Sequence, residues 1–319
     1  MTIERLQMAQ GDYHEPALLR EVVEQFVPLD AGVVVDATVG GGGHAAAILD
    51  AAPQLRVLGV DRDPDARAAS AERFLGEPRA RVVAGAFGDL AAVLRDAAGF
   101  VGADAIVGVL MDLGVSSHQL DEATRGFSFR ADAPLDMRMD PDHGETAAHS
   151  LSRVDEHELA RVLRANGEAR FAGAIARAVV AARPTTTTGL VTAVEAAVPP
   201  AARRRGHVAT RVFQAVRVEV NDEAGELARG LAAGLDALAV GGVLAVISYH
   251  SGEDRVVKAF LRDAETGGCT CPPGLPCVCG ATPRVSVLRP GAILARADEV
   301  AANPRSRSAR LRVAHKVAP

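Results

Sequence analysis

The stretch Val33-Val-Val-Asp-Ala-Thr-Val-Gly40-Gly-Gly-Gly43-His-Ala45 constrains the fold more than any other part of the chain. A β-branched run closes on an acid, four glycines follow, and Ala45 to Leu49 are good helix formers. β-branched residues favour a strand, and glycines allow the tight turn that follows it. A helix starting there points unpaired backbone N–H groups and its positive dipole end at whatever occupies the corner. Strand, glycine loop and helix N-terminus in that order can hold the pyrophosphate of a dinucleotide or the carboxylate of an amino-acid-bearing nucleoside. The loop alone does not choose between them.

The pattern then repeats. Arg56 to Asp61 reads as a second buried strand, Arg81 to Gly85 as a third and Ala105 to Asp112 as a fourth, with helical stretches between them. Ala86 to Leu90 leads into one of those helices, and residues 14–27 read as a helix with Pro16 in its first turn. Near-continuous apolar strands alternating with helices predict an α/β fold, a parallel sheet covered on both faces. Strands one, two and four end in Asp36, Asp61 and Asp112. One such acid is usually a helix cap or a turn former. Three of them at the carboxyl edge of an α/β sheet, beside a glycine loop, point to a ligand site. Asp61 follows Gly40 by 21 positions, close to the spacing of an acid that binds ribose hydroxyls.

The alternation stops at about Val115. Residues 155–164, 167–182 and 188–198 read as helices, with turns at Asn166-Gly167, Pro184 and Pro199-Pro200. Thr185 to Thr188 reads as a helix cap. The sheet resumes with a helix over 222–240 and a fifth strand over 242–248, and a further helix starts near Arg255. Residues 284–288 and 309–317 are expected to pair as a hairpin at the end of the sheet. The expected organisation is therefore one sheet domain, residues 1–114 and 212–319, interrupted by a helical insertion over 115–211.

Two loop segments mix charge with large apolar groups: Asp112 to Leu120, and Arg125 to Asp140. A loop without a role is more often plainly polar, so these form a candidate wall of the active site. The alternative is a long connection tied down by its own Phe and Met side chains.

These motifs recur together in one known group. Asp36-Ala-Thr-Val-Gly-Gly-Gly-Gly-His44, Asp112-Leu-Gly-Val-Ser-Ser117, Arg125-Gly-Phe-Ser-Phe129 and Pro134-Leu-Asp-Met-Arg-Met-Asp140 are four of them. Thr210 to Arg217, Ser248 to Arg255 and Asn303 to Ser308 are the others. From about His14 onward the chain closely resembles the MraW (RsmH) family of S-adenosylmethionine-dependent methyltransferases, which methylate N4 of a cytosine in the decoding region of bacterial 16S ribosomal RNA. Only Tyr249 and Gly252 depart from the expected Phe and Leu, which affects the packing of that loop.

The resemblance implies a Rossmann-like methyltransferase sheet, with the insertion recognising substrate. It implies that S-adenosylmethionine touches Gly42, Gly43 and His44 at the loop, Asp61 at the ribose and Phe87 beside the adenine, with Asp112 and Gln119 completing the site. The exocyclic amine of cytosine is a weak nucleophile. An acceptor for its proton is needed, and Asp112 or nearby backbone carbonyls are the candidates, with Ser116 and Ser117 as supporting contacts. Phe127, Phe129, Asp136 and Arg138 are candidates to hold a base extracted from its stack. Without the family, Phe87 would be assigned to the core; for His44 a helix start with no ligand is the alternative, outweighed by its adjacency to the glycines.

Formal charge is −5, so no global positive field advertises an RNA partner. Local charge must serve instead. Arg203, Arg204 and Arg205 in the insertion, and Arg305, Arg307, Arg310, Arg312 and Lys316 near the end, are the candidate phosphate contacts. Read alone, such runs are solvated surface.

All four cysteines lie in Cys269-Thr-Cys271 and Cys277-Val-Cys279, separated by five residues. So close a set could hold a structural zinc, although Cys-x₂-Cys is the commoner spacing. Reduced thiols or disulfides are the alternatives. No secretory leader pattern and no apolar run long enough for a bilayer are visible, so a cytoplasmic protein without a membrane partner is expected. A homodimer is compatible with the sequence. Two rival functions fit parts of it: a nicotinamide-dependent dehydrogenase, through Gly40-x-Gly42-x-x-Ala45 and Asp61, and a non-catalytic ribosome assembly factor with the same fold.

Overall fold

The computed structural model describes residues 16–203, 208–272 and 278–319. The chain forms two compact units: Met1–Gly114 together with Gly225–Pro319, and Val115–Ala224.

The first unit is built on one sheet. Its strands are β1 (Gly32–Asp36), β2 (Leu55–Asp61), β3 (Ala80–Ala84), β4 (Ile106–Asp112), β5 (Val243–Ser248), β6 (Val285–Val287), β7 (Ile293–Leu294) and β8 (Arg310–Lys316). The spatial order is β3-β2-β1-β4-β5-β8-β6, with β7 paired to β8. Pairings among β1 to β5 are all parallel, and those of β8 with β5, β6 and β7 are antiparallel. The order reverses between β1 and β4, the switch point at which open α/β sheets leave a crevice at the strands' carboxyl ends.

Alternation of side chains along each strand fills two cores. Val33 and Val35 of β1 face one cluster, with Val109 and Met111 of β4 and Leu227, Leu231 and Leu235 of the helix Glu223–Ala237. Val34 faces the other, with Leu110, Phe26 of the helix Leu19–Phe26 and Ile48 of the helix Gly43–Ala51. Helices therefore cover both faces, as parallel strands with apolar side chains on each side require. Each fully buried Leu contributes about 1.5–3 kcal/mol by leaving water.

Element ends moved where local chemistry intervened. The first described helix starts at Leu19, after Leu18 at φ 55°, and Pro16 precedes it instead of lying in its first turn. The helix expected from 167 starts at Ala172. Glu168, 1% exposed, instead accepts the Phe171 N–H and pairs with Arg211 at 2.6 Å. The two late strands do pair antiparallel, but not as a simple hairpin: β7 and the helix Ala297–Ala302 intervene, and β8 lies within the sheet between β5 and β6.

The second unit is helical, with Ala147–Arg153, Glu156–Ala165, Ala172–Ala182, Thr187–Ala197 and Val208–Val220 packed on one cluster. Thr146, Asp155 and Thr186 cap the first, second and fourth of these helices through side-chain oxygens. This unit continues to Ala224 rather than stopping at 211, because 211 falls within the helix Val208–Val220. Val208, Val212, Phe213, Ala215 and Val216 of that helix are buried in the unit's own cluster.

Candidate active site

The carboxyl ends of β1, β2 and β4 bring Asp36, Asp61 and Asp112 to neighbouring positions on one sheet edge. The glycine loop rises from the same edge. Gly42 caps the helix Gly43–Ala51 at φ 78°, with no side-chain hydrogen bond at that cap. A Cβ there would meet the Phe74 ring at 2.9 Å, and one at Gly43 would collide with Pro16. Only glycine lets the backbone lie this close to its neighbours. With no side chain capping it, the helix start keeps the backbone N–H groups that suit an anionic group.

Asp61 accepts from the Gly40 N–H at 2.9 Å and the Asp63 N–H at 2.9 Å, one on each carboxylate oxygen. A carboxylate has about four acceptor positions, so two remain for a vicinal diol. Burial pushes this carboxyl above the ordinary range against the pull of those two donors. Asp36 is 1% exposed, and burial drives its carboxyl up to about 8, with the charges of Asp112 and Asp61 adding to the effect.

Asp112 is the most connected of the three. Its backbone N–H donates to Thr38 Oγ1 at 2.6 Å, and its Oδ1 accepts from the Tyr249 hydroxyl at 2.9 Å. Its Oδ2 lies 3.7 Å from His44 Nδ1, and its side chain is 23% exposed. Burial raises Asp112 to about 7, opposed by the Tyr249 hydrogen bond and assisted by the charge of Glu253. His44 Nε2 lies 3.0 Å from the Ala17 carbonyl, which can only accept. Nε2 therefore carries the proton and Nδ1 offers a lone pair toward Asp112. Burial lowers His44 to about 4, so the ring is neutral at physiological pH.

Tyr249 is the residue that sequence reasoning undervalued. It was expected to affect only packing, yet its hydroxyl reaches Asp112. The turn after β5 holds it there. His250 caps the helix Ser251–Thr266 by accepting the Gly252 and Glu253 N–H groups, and Glu253 Oε2 accepts from the Tyr249 N–H at 2.9 Å. At Gly252 a Cβ would approach the His250 ring to 3.0 Å. Asp36 was visible as a strand-end acid but was given no role.

Phe87 is partly buried, packed against the core beside Gly230, where an added Cβ would come within 2.5 Å of its ring. Gly88 next to it donates its N–H to Glu226 Oε2 at 2.8 Å, and Glu226 also pairs with Arg62 at 2.7 Å.

The remaining candidates belong to the second unit. Ser116 and Gln119 form a capping box on the helix Ser117–Asp121: Ser116 Oγ accepts from the Gln119 N–H at 3.1 Å, and Gln119 Oε1 from the Ser116 N–H at 3.0 Å. Phe127 is 7% exposed, in the core, and Phe129 meets Phe213 edge-on with ring centroids 5.0 Å apart. Leu135, Met137 and Met139 are buried with them. Much of Arg125 to Asp140 is thus tied down by its own apolar side chains, as the plainer alternative held. Asn221 secures it further, accepting from Met139 N–H and donating to the Met137 carbonyl, both at 2.8 Å. Arg138 grips Asp136 with two bonds of 2.8 Å.

Among the basic candidates, Arg204, Arg205 and the side chain of Arg203 lie outside the described residues. Arg307 and Arg310 are exposed. Arg312 turns inward to Asp254 at 2.7 Å, and Lys316 Nζ, 5% exposed, donates to the Leu238 carbonyl at 2.8 Å. Both are structural cations, unlike the phosphate contacts expected of them. Among the described residues, no helix is long and apolar enough to cross a membrane.

Comparison with known proteins finds relatives that match along nearly the whole chain. The chain is 48% identical over 313 residues to the ribosomal RNA small subunit methyltransferase H of Heliobacterium modesticaldum, spanning 96% of this chain and 99% of that one. Proteins of the same name from Frankia alni and Myxococcus xanthus are 51% and 50% identical, over 96% and 97% of this chain and 96% and 100% of theirs. A family-wide profile described as the MraW methylase family matches residues 12–317. With the match running through sheet and insertion alike, the chain belongs to the MraW methylase family.

Proposed function

We propose that this protein transfers a methyl group from S-adenosylmethionine to N4 of a cytosine in the decoding region of small-subunit ribosomal RNA. The observation that carries the proposal is the strand-edge cluster, in which a partly exposed Asp112 with a raised pKa stands beside the glycine corner and Asp61. Relatives named as small-subunit ribosomal RNA methyltransferases support the substrate class.

The donor set fits the nucleoside. Asp61 keeps acceptor capacity for ribose hydroxyls, Phe87 offers an apolar face, and the helix start at Gly43 and His44 accepts a carboxylate. When bound, S-adenosylmethionine supplies an electrophilic methyl on a sulfonium, so the protein's task is placement and proton removal. Gln119, though engaged in its capping box, is retained as a further contact, and Ser116 and Ser117 as supports for the substrate loop.

Asp112 accepts a hydrogen bond from the amine N–H, which aims the nitrogen lone pair at the methyl carbon. When the amine takes the methyl that the bound cofactor supplies, Asp112 would take the proton the nitrogen gives up. A carboxylate raised to about 7 is a far better base than an ordinary one. Tyr249 fixes Oδ1, leaving Oδ2 to take the proton, and the His44 lone pair facing Oδ2 favours the protonated form. Asp136 and Arg138 would orient the substrate loop. Arg203 to Arg205, Arg307 and Arg310 would meet phosphates, so binding should weaken steeply with salt.

The test is transfer of labelled methyl to small ribosomal subunits from cells lacking this activity. Label at cytosine N4 is expected, together with a melting temperature raised by S-adenosylhomocysteine and unmoved by NAD. Label elsewhere would overturn the assignment of the target atom. No transfer despite intact S-adenosylhomocysteine binding would favour the assembly-factor alternative.

A further inference from the structure

The loop between the helix Ser251–Thr266 and β6 contains chemistry that methyl transfer does not use. Backbone contacts pin its two legs together at the base. Gly268 N–H donates to Asp263 at 3.0 Å and Cys269 N–H to Thr266 at 3.2 Å, while on the return leg Arg284 N–H reaches Ala264 at 2.8 Å. A Cβ on Gly267, at φ 62°, would collide with the Thr282 carbonyl. Beyond this base, none of the described residues in 267–284 is buried, so no apolar core holds the loop. Val278, between two cysteines of the sequence, is 88% exposed.

Three thiols nevertheless converge there. The Sγ atoms of Cys269, Cys271 and Cys279 all lie within 4.8 Å of one another, and those of Cys269 and Cys279 are 3.6 Å apart. That separation is far beyond a disulfide bond of about 2.05 Å. It is close to the roughly 3.8 Å edge of a sulfur tetrahedron drawn around zinc at about 2.3 Å. Free cysteines usually behave as small buried hydrophobes, whereas these are partly or fully exposed.

We propose that Cys269, Cys271 and Cys279 bind a thiophilic divalent metal, with zinc the best match, as a structural clamp on this loop. Sulfur ligands suit zinc over magnesium or calcium, which take oxygen. The metal would supply the cohesion that the loop lacks in apolar contacts. Cys277 lies outside the described residues and is not needed for the argument.

The test begins with untagged protein purified without chelator. About one zinc per chain is expected by elemental mass spectrometry, with thiols that react with a disulfide reagent only after a mercurial releases the metal. Cobalt exchanged into the site should show thiolate-to-cobalt charge-transfer absorption. Cys271→Ser should lose the metal and lower the melting temperature while S-adenosylhomocysteine binding is kept at 25 °C. Metal-free protein with all thiols immediately reactive would overturn the proposal, as would a disulfide detected by non-reducing mass spectrometry. If Cys271→Ser fails to fold, the metal content and thiol reactivity of the unmodified protein still decide.

Discussion

The carboxylates of the helical unit and those at the strands' carboxyl edge are handled in opposite ways. In the helical unit, Asp136 is held in a fork by Arg138 and Glu168 by Arg211. Burial pushes the Asp136 carboxyl up, but Arg138 outweighs it and holds the group below the ordinary range. At the sheet edge of the other unit, Asp36, Asp61 and Asp112 are stabilised by backbone N–H groups or a phenol, and burial raises all three. A carboxylate neutralised by a guanidinium is a structural fastening. One kept basic beside other acids is poised for ligand binding or proton transfer, at a cost in stability.

That contrast can be broken experimentally. The largest effect is expected from Asp112→Asn, which should lower kcat by about 10²–10⁴, well beyond any loss of S-adenosylhomocysteine affinity read by calorimetry. Full turnover would remove Asp112 as the acceptor.

Next comes Asp36→Asn, read through stability against pH. The folded pKa of Asp36 is raised, so the native state binds more protons than the unfolded chain between about 4 and about 8. Its contribution is fully present below the unfolded pKa and is lost as pH rises through about 8. His44 acts with the opposite sign, its lowered pKa making stability rise between about 4 and its usual 6.5. Denaturant titrations should show the variant losing less stability than wild type from pH 6 to 9. Parallel curves would mean that Asp36 does not titrate there.

A smaller change is expected from Asp136→Ala. It leaves Arg138, about 20% exposed, without its fork and should cost about 1–2 kcal/mol in unfolding experiments, with cofactor affinity unchanged. Weakened cofactor binding would show that the two kinds of carboxylate are less separate than argued.

Tyr249→Phe should have the mildest effect. The phenol lowers the Asp112 pKa, so removing it should move the rising limb of the pH–rate profile upward by less than about one unit, with most activity kept. An unmoved limb would disconnect Tyr249 from the acceptor.

The sheet was legible in the sequence because its signals are local: Val33 to Val35 can only be buried, and acids after strands stand out. The topology of the last strands was less so. Nothing near Arg310 to Lys316 announces that β8 will pair with β5, some sixty residues upstream. The domain limit slipped because the helix Val208–Val220 begins beyond the Pro199-Pro200 turn and was not read from its apolar spacing. At the strands' carboxyl edge, His44 and Asp61 were picked out as candidates by their neighbours in sequence. The Tyr249 hydroxyl was not, since its partner lies 137 positions away. Arg312 and Lys316 looked like surface charge because a sequence does not display the acid or carbonyls that draw them inward.

The antiparallel strand β8 has a consequence for biosynthesis. It is the shared neighbour of β5, β6 and β7, so these segments, although translated earlier, have no β8 to pair with until residues 310–316 leave the ribosome. Until then the β5 edge stays open, an invitation to wrong pairing. A nascent chain stalled before Arg310 should be aggregation-prone, and protection of the β5 amides that face β8 should appear only after that strand emerges.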